Sequence, residues 1–396
     1  MNYEVFILNK KILYLTIAMF FMSILANTAH PVTPELVVNL NMSSLMYGIM
    51  FAAMSVASFA MSPIWGSLSD RFQSRKLFLC LPSIGYALAQ IGFGFSTSPI
   101  LIIIFRIIGG AFGCSVFTVS VAYIVDETTT KERGEAISVY TAITRFGISL
   151  GYLLGGYIGA QDYHYAFILQ SSGLLLHAVL VYFFLPESNM DTRNPKEKNK
   201  PFTLKFNINL KEYITTSLGI LLTLVFLTSF SYVAYNTGIN YFLKKYLSLN
   251  PLQIGYYMAF MGIIGIIANI YTTPRISRKY GEKKSLKYVL LITGLTLILL
   301  STFDDLLSVK SIVVLVIFLF FLSMYRPLLQ TLISKASKSD HGKIMGLQNS
   351  ANSVGMVGGS LFAGVLLDVF PIMLFVAAGV VFILSYLIIL ISDKRI

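Results

Sequence analysis

The chain is 396 residues long, 56% of them apolar and only 12% charged, with a formal net charge of +12. Ordinary soluble domains carry about 25% charged residues, so this composition excludes a soluble enzyme of two or three domains. The apolar stretches run continuously, as at 101–105 (LIIIF) and 312–322 (IVVLVIFLFFL), which excludes a membrane barrel, whose strands alternate.

A hydrocarbon core of about 30 Å takes about 20 residues per helix, so twelve spans use roughly 240 residues and leave about 150 for connections. In chain order the spans fall near 12–38, 45–65, 77–96, 99–125, 136–160, 164–185, 214–243, 252–272, 288–303, 310–334, 344–367 and 369–392. The first follows Lys10 and Lys11 but carries Asn27, His30 and two prolines and has no small-residue cleavage site, so it reads as a retained helix and not a signal peptide. All but six of the 30 lysines and arginines lie in alternate connections or at the ends. Lys244, Lys245 and Lys310 sit on the opposite side, and Arg106, Arg145 and Arg326 fall within spans. That bias is a topology signal with both termini cytoplasmic, and it removes the nucleic-acid reading of the net charge.

Polar residues inside the spans mark the candidate cavity, because ionisable groups in hydrocarbon are costly and usually line a pathway. In span 1, Asn27, His30, Pro31 and Pro34 follow at i, i+3, i+4 and i+7, along one helical face, with Glu35 on its flank. Span 4 has Arg106, span 5 Arg145, span 7 Asn236 and Asn240 one turn apart, span 10 Arg326 and Gln330, and span 11 Asn349 and Asn352. Gly147, Gly151, Gly155 and Gly159 recur every fourth residue of span 5, a smooth seam that lets another helix approach. Gly147-Ile148-Ser149-Leu150-Gly151 also satisfies a serine-hydrolase pattern, but mid-helix it lacks the strand-to-helix turn such a nucleophile needs, and the chain is expected not to be an enzyme. Cys80 and Cys114 lie in apolar spans and outline neither a disulfide nor a zinc framework. No cofactor, metal or ATP-binding loop is expected.

The longest hydrophilic stretch, about 186–212, divides the spans six and six. The expected organisation is a bundle over 1–188, a cytoplasmic linker over 189–212 and a second bundle over 213–396. A repeat supports the division. Ser69-Asp70-Arg71-Phe72-Gln73-Ser74-Arg75-Lys76 aligns with Ser277-Arg278-Lys279-Tyr280-Gly281-Glu282-Lys283-Lys284, and the same offset carries Gly147, Gly151 and Gly156 onto Gly355, Gly359 and Gly364.

Residues 66–76 (GSLSDRFQSRK) resemble the basic loop between spans 2 and 3 of the major facilitator superfamily. Pro31-Val32-Thr33-Pro34, Arg106-Ile107-Ile108-Gly109-Gly110 and 147–156 (GISLGYLLGG) are similar to segments of its twelve-span drug and proton antiporter branch. The chain departs from these patterns at Gln73, where the family usually has glycine, at Tyr152, where the branch has proline, and at Arg278, which replaces the acid in the second copy. The resemblance implies an all-α membrane protein of twelve transmembrane helices in two pseudo-symmetric six-helix bundles, working by alternating access. It implies a conformational latch at Gly66, Asp70, Arg71, Arg75 and Lys76, in which Gly66 permits tight packing and Asp70 accepts from a neighbouring helix N-terminus. It also implies that the span-5 glycines form a seam between the halves.

The implied function is proton-coupled export of drugs or small amphiphilic molecules from the cytoplasmic membrane by a monomer. Acids from 213 onward lie in loops or near span ends, so proton coupling would rest on Glu35, with His30 as a second titratable group. Efflux of a sugar or an anionic or zwitterionic metabolite, or lipid flipping, is the alternative. Three intramembrane arginines against one glutamate favour substrates with a carboxylate, phosphate or many hydroxyls over permanent cations.

Overall fold

The protein, a computed structural model, is described over residues 9–129, 132–189, 217–303, 308–336 and 341–392. The expected 189–212 linker lies, but for Asn189, outside the described residues. The helices are α1 (Lys10–Ala26), α2 (Thr33–Asn39), α3 (Ser44–Arg71), α4 (Arg75–Gly94), α5 (Pro99–Asp126), α6 (Arg133–Gly159), α7 (Tyr163–Phe184), α8 (Ser217–Lys245), α9 (Pro251–Ile267), α10 (Thr273–Tyr280), α11 (Glu282–Leu300), α12 (Val309–Ala336), α13 (His341–Val369) and α14 (Pro371–Ile391). No strand occurs among the described residues.

Among the described residues, ten helices are long and apolar enough to cross a membrane, α9 and α10 counting as one. Two expected spans fall short of that measure for visible reasons. The first is divided into pieces of 17 and 7 residues, and α11 opens with Glu282, Lys283, Lys284 and Lys287 in its first two turns. The division of span 1 corrects the expectation of one continuous face through Asn27, His30, Pro31 and Pro34. Proline has no N–H and its ring clashes with the carbonyl four residues back, so residues 27–32 form turns and the four residues straddle a break. Pro274 has a milder effect: α9 passes through a π-helical turn, Ala268–Thr272, before α10. The Thr273 hydroxyl donates to the Ala268 carbonyl at 2.9 Å and the Arg275 guanidinium to that of Tyr271 at 3.1 Å, satisfying carbonyls that the distorted turn releases.

Side chains set the helix starts. Asn9, Ser74, Ser98 and Asp162 each accept a backbone N–H in the first turn of α1, α4, α5 and α7. The His164 N–H and ring hold the exposed Asp162 carboxyl below the usual aspartate range. Several buried hydroxyls inside the helices are satisfied locally, with Thr16, Ser83, Ser120, Thr228 and Thr293 each donating to the carbonyl one turn back. That suits a surrounding with no water to offer.

The described chain divides into two compact units, one of Met1–Met42, Ala53–Lys205 and Ser248–Gly262, the other of Ser43–Ala52, Phe206–Leu247 and Ile263–Ile396. In the first, α1 packs on α6 and α7, and α4 on α5 and α7. In the second, α8 packs on α13 and α14, and α11 on α12 and α14. The repeat seen in sequence is thus a repeat of packing.

The glycines explain how. A Cβ on Gly147 would lie 2.8 Å from the Phe20 carbonyl oxygen, and one on Gly355 2.6 Å from that of Phe226. Gly151 and Gly359 meet the Ile24 and Phe230 carbonyls closer still. Farther along, Gly156 meets the Pro251 carbonyl at 2.7 Å and the Gly255 Cα at 3.0 Å, while Gly364 meets the Ser44 carbonyl at 2.9 Å and the Gly48 Cα at 3.1 Å. The first set of contacts brings α6 onto α1 and α13 onto α8. The second brings α6 onto the first turns of α9 and α13 onto those of α3. The expected seam therefore needs correcting: Gly147, Gly151, Gly155 and Gly159 all face span 1, and Gly156, one position off the stripe, meets α9.

Candidate functional site

Two groups of polar residues in the first unit and two in the second bear on function. The densest lies at the end where α3 turns into α4. Arg75 is 1% exposed, and its guanidinium reaches Asp70 at 2.6 Å, Asp126 at 2.8 Å and the Ser69 hydroxyl at 2.5 Å. Glu187, just past α7, accepts from the Arg75 N–H at 2.7 Å, the Lys76 N–H at 3.2 Å and the Ser74 hydroxyl at 2.6 Å. A carboxylate at a helix N-terminus meets both free N–H groups and the positive end of the dipole. Beside it, Lys11 binds Glu127 at 3.1 Å and the Glu187 carbonyl at 3.0 Å.

This geometry revises the roles read from residues 66–76. Asp70 pairs with Arg75 of its own loop, and the Glu187 carboxylate holds the α4 N-terminus. Gly66 is not required by close packing among the described residues, where a Cβ would meet only the Thr118 methyl at 3.9 Å. Gln73 adopts a φ of 51°, the left-handed conformation that favours glycine. Arg71 is exposed, and Lys76 lies 5.4 Å from the Tyr182 ring centroid. Asp126 and Glu187 had no sequence signal as partners, because they stand 51 and 112 residues from Arg75.

Deeper in the same unit, Arg106 of α5 is 3% exposed, with its guanidinium carbon 3.9 Å from the centroid of the Phe93 ring. It donates to the Met54 sulfur at 3.4 Å and the Thr33 hydroxyl at 3.5 Å. The break in span 1 is what brings Thr33 there. An always-protonated guanidinium is thus seated among an aromatic face and soft or neutral acceptors. His30 lies edge-on to Tyr152 at 5.8 Å, the residue that replaces the branch's proline. Asn27 is bound locally, its amide donating to the Ser23 carbonyl at 2.7 Å. Arg145, in mid-α6, is exposed. Glu35 is half-buried in the first turn of α2, four residues before that helix ends at Asn39. Thr33 was visible within the 31–34 motif, whereas nothing in the sequence singled out Phe93 or Met54.

In the second unit, the Asn352 side-chain oxygen accepts from Ser229 at 2.8 Å and its amide donates to the Met356 sulfur at 3.3 Å. Asn240 donates to the Asn236 carbonyl at 3.0 Å, and its own buried amide oxygen has no hydrogen-bond partner among the described residues. Asn236 is half-buried, while Arg326, Gln330 and Asn349 are exposed, the first two a helical turn apart on α12. At the C-terminal end of α8, Asp368 accepts from the Ser44 N–H at 2.9 Å and pairs with Lys245 at 3.0 Å, and the Ser44 hydroxyl donates to the Gly364 carbonyl at 2.6 Å. Sequence reading placed Asp368 at a span end but gave it no partner.

Comparison with known proteins adds to this geometry. Residues 15–359 match the family described as the Major Facilitator Superfamily. The chain is 27% identical over 355 residues to multidrug resistance protein 2 of Bacillus subtilis (strain 168), covering 90% of this chain and 88% of that protein. It is 26% identical over 369 residues to the quinolone resistance protein NorA of Staphylococcus aureus (strain COL), covering 93% and 91%. Among solved structures, a bacterial homolog to human lysosomal transporter Spinster, inward-facing and unoccupied, superposes with a TM-score of 0.80 at 13% identity, covering 98% of this chain and 97% of that one. The human organic anion transporter MFSD10 does so with a TM-score of 0.70 at 19% identity, covering 96% and 99%. Likeness at such identities carries the fold alone.

Proposed function

The chain belongs to the Major Facilitator Superfamily and is a multi-pass membrane transporter, not an enzyme; on that premise we propose that it is a proton-coupled exporter working by alternating access. In this reading two six-helix bundles, 1–188 and 213–396, rock about a central cavity in the cytoplasmic membrane. Both termini are cytoplasmic, and the chain acts as a monomer. The drug-resistance names of its sequence relatives support small amphiphilic molecules as cargo. Residues 66–76 form the latch, with Arg75 as its hub. Glu35 carries the proton, with His30 beside the Arg106 group as the second titratable side chain.

The observation that carries the reading is the exposure of Arg145 and Arg326 in the middle of long apolar helices. An exposed guanidinium at that depth requires water, and a water-filled cavity is what a transport pathway supplies. The candidate cavity residues are Asn27, His30, Arg106, Arg145, Asn236, Asn240, Arg326, Gln330, Asn349 and Asn352.

The same arginines favour a second reading, in which anionic, zwitterionic or polyhydroxylated compounds are carried better than permanent cations. A guanidinium binds a carboxylate or phosphate through two parallel hydrogen bonds. Inverted vesicles holding the full chain test both readings, assayed with ethidium and with an anionic fluorescent dye, with and without a collapsed proton gradient. Gradient-dependent export is expected, with Glu35→Gln abolishing it while downhill exchange persists. Arg145→Ala should slow the anion more than the cation. Ethidium export that survives Arg145→Ala, with no anion transport, would overturn the second reading. Concentrative transport by Glu35→Gln would overturn the assignment of the proton site.

A further inference from the structure

Span 1 breaks between α1 and α2, and its carbonyls there need other donors. In an unbroken helix the Ala26 carbonyl would accept the N–H of His30, which instead donates to the Asn27 carbonyl at 3.3 Å. The released Ala26 carbonyl is met from outside the span, by the side-chain amide of Gln170 on α7. One turn back on α7, the Ala166 carbonyl lies 3.1 Å from the Thr28 hydroxyl, which also reaches the Leu25 carbonyl at 2.9 Å. One turn on, Gly173 lets α7 approach, since a Cβ there would lie 2.6 Å from that of Leu25. Ala166, Gln170 and Gly173 follow at i, i+4 and i+7, so one face of α7 is fitted to the break.

Packing alone does not account for a glutamine in that place. Gln170 is fully buried, and its amide oxygen has no hydrogen-bond partner among the described residues. A buried polar atom left unpaired is costly, and leucine would fill the space without it. What the amide supplies and leucine does not is a donor for the carbonyl that the break releases. Downstream of the break, the Thr33 hydroxyl donates to the Ala29 carbonyl at 2.8 Å and accepts from the Arg106 guanidinium at 3.5 Å. The path of residues 27–32 therefore decides whether Thr33 meets Arg106.

We propose that Gln170 is a positioning residue for the Arg106 group, holding the break of span 1 so that Thr33 stays against the guanidinium. The proposal rests on the reading of Arg106 as a cavity residue. Every residue it uses belongs to the first unit. Gln170 acts on the guanidinium through residues 26–33, and its loss is felt at Arg106 as the loss of Thr33.

Two measurements on the full chain test it. Hydrogen exchange in nanodiscs reads the break directly: Gln170→Met, of similar length but without a donor, should speed exchange of residues 27–33 by roughly five-fold, the effect of one net hydrogen bond. Leu174→Ala, one turn along the same buried face, is expected to lower the unfolding midpoint without that local change. In inverted vesicles, Gln170→Met should raise KM for the anionic fluorescent dye by a similar factor, with the maximal rate per folded molecule unchanged. Thr33→Ala should do the same, and the double variant should be no worse than either, because both remove one contact. Losses that multiply in the double variant overturn the proposal, as does faster exchange without a shift in KM, or exchange equal to that of the wild type. Should Gln170→Met fail to fold, Thr28→Val removes the other tie to α7 and carries the same expectations. A wild type that transports neither dye defeats the transport reading alone, and the exchange result then stands as the test of Gln170.

Discussion

The starts of α4 and α3 are both closed by a carboxylate from far along the chain, and the two closures differ in their access to water. At α4, Glu187 caps the helix while Arg75 and Asp126, with side chains 1% and 2% exposed, are locked in contact behind it. At α3, Asp368 caps Ser44 and pairs with Lys245, the two side chains being 36% and 40% exposed. The first arrangement is costly to disturb on one side, because removing one partner leaves a desolvated charge. The second is screened and rehydrates as it opens.

The largest expected effect is at Arg75. Arg75→Ala takes the guanidinium away from the buried Asp126 carboxylate and should cost about 3–5 kcal/mol, read as a lower unfolding midpoint of the purified protein in detergent. A variant that melts with the wild type would break the contrast, since the inner cluster would then contribute no more than a surface pair.

Asp368→Asn is expected to cost less than about 1 kcal/mol, because the pair is more than a third exposed and its attraction is discounted by solvent. The penalty should shrink further between low salt and about 1 M salt, where the screening length falls from tens of ångströms to about 3 Å. A salt-independent loss as large as that of Arg75→Ala would show that exposure does not separate the two closures.

The smallest effect sharpens the same comparison from within the α3–α4 turn. Gln73 holds a left-handed backbone at a cost of about 1 kcal/mol, which glycine avoids while adding unfolded-state entropy. Gln73→Gly should therefore raise the unfolding midpoint slightly and leave the Arg75 contacts intact. A fall in the midpoint would mean that the glutamine side chain contributes a contact of its own.

What could be read in advance follows from range. Asn9, Ser74, Ser98 and Asp162 cap helices through bonds to residues two or three positions away, and such signals stand in the local sequence. Candidate pathway residues were legible for another reason: arginine and asparagine in an apolar run are conspicuous whatever their neighbours. Their partners were not, and Phe93 under Arg106 or Ser229 beside Asn352 are ordinary residues made significant by one approach.

By itself the amino-acid order determined that the chain is a helical membrane protein with an internal repeat, because apolar length and glycine spacing are properties of single segments. It also exposed the arginines, since their cost in hydrocarbon does not depend on what they touch. Tertiary structure alone decided that the glycine stripe of α6 faces α1 while Gly156 faces α9, a difference of about 100° around one helix that spacing cannot orient. It decided, too, that Glu187 holds the start of α4. Any carboxylate of suitable reach could fill that place, and only the packing of α7 against α4 delivers this one.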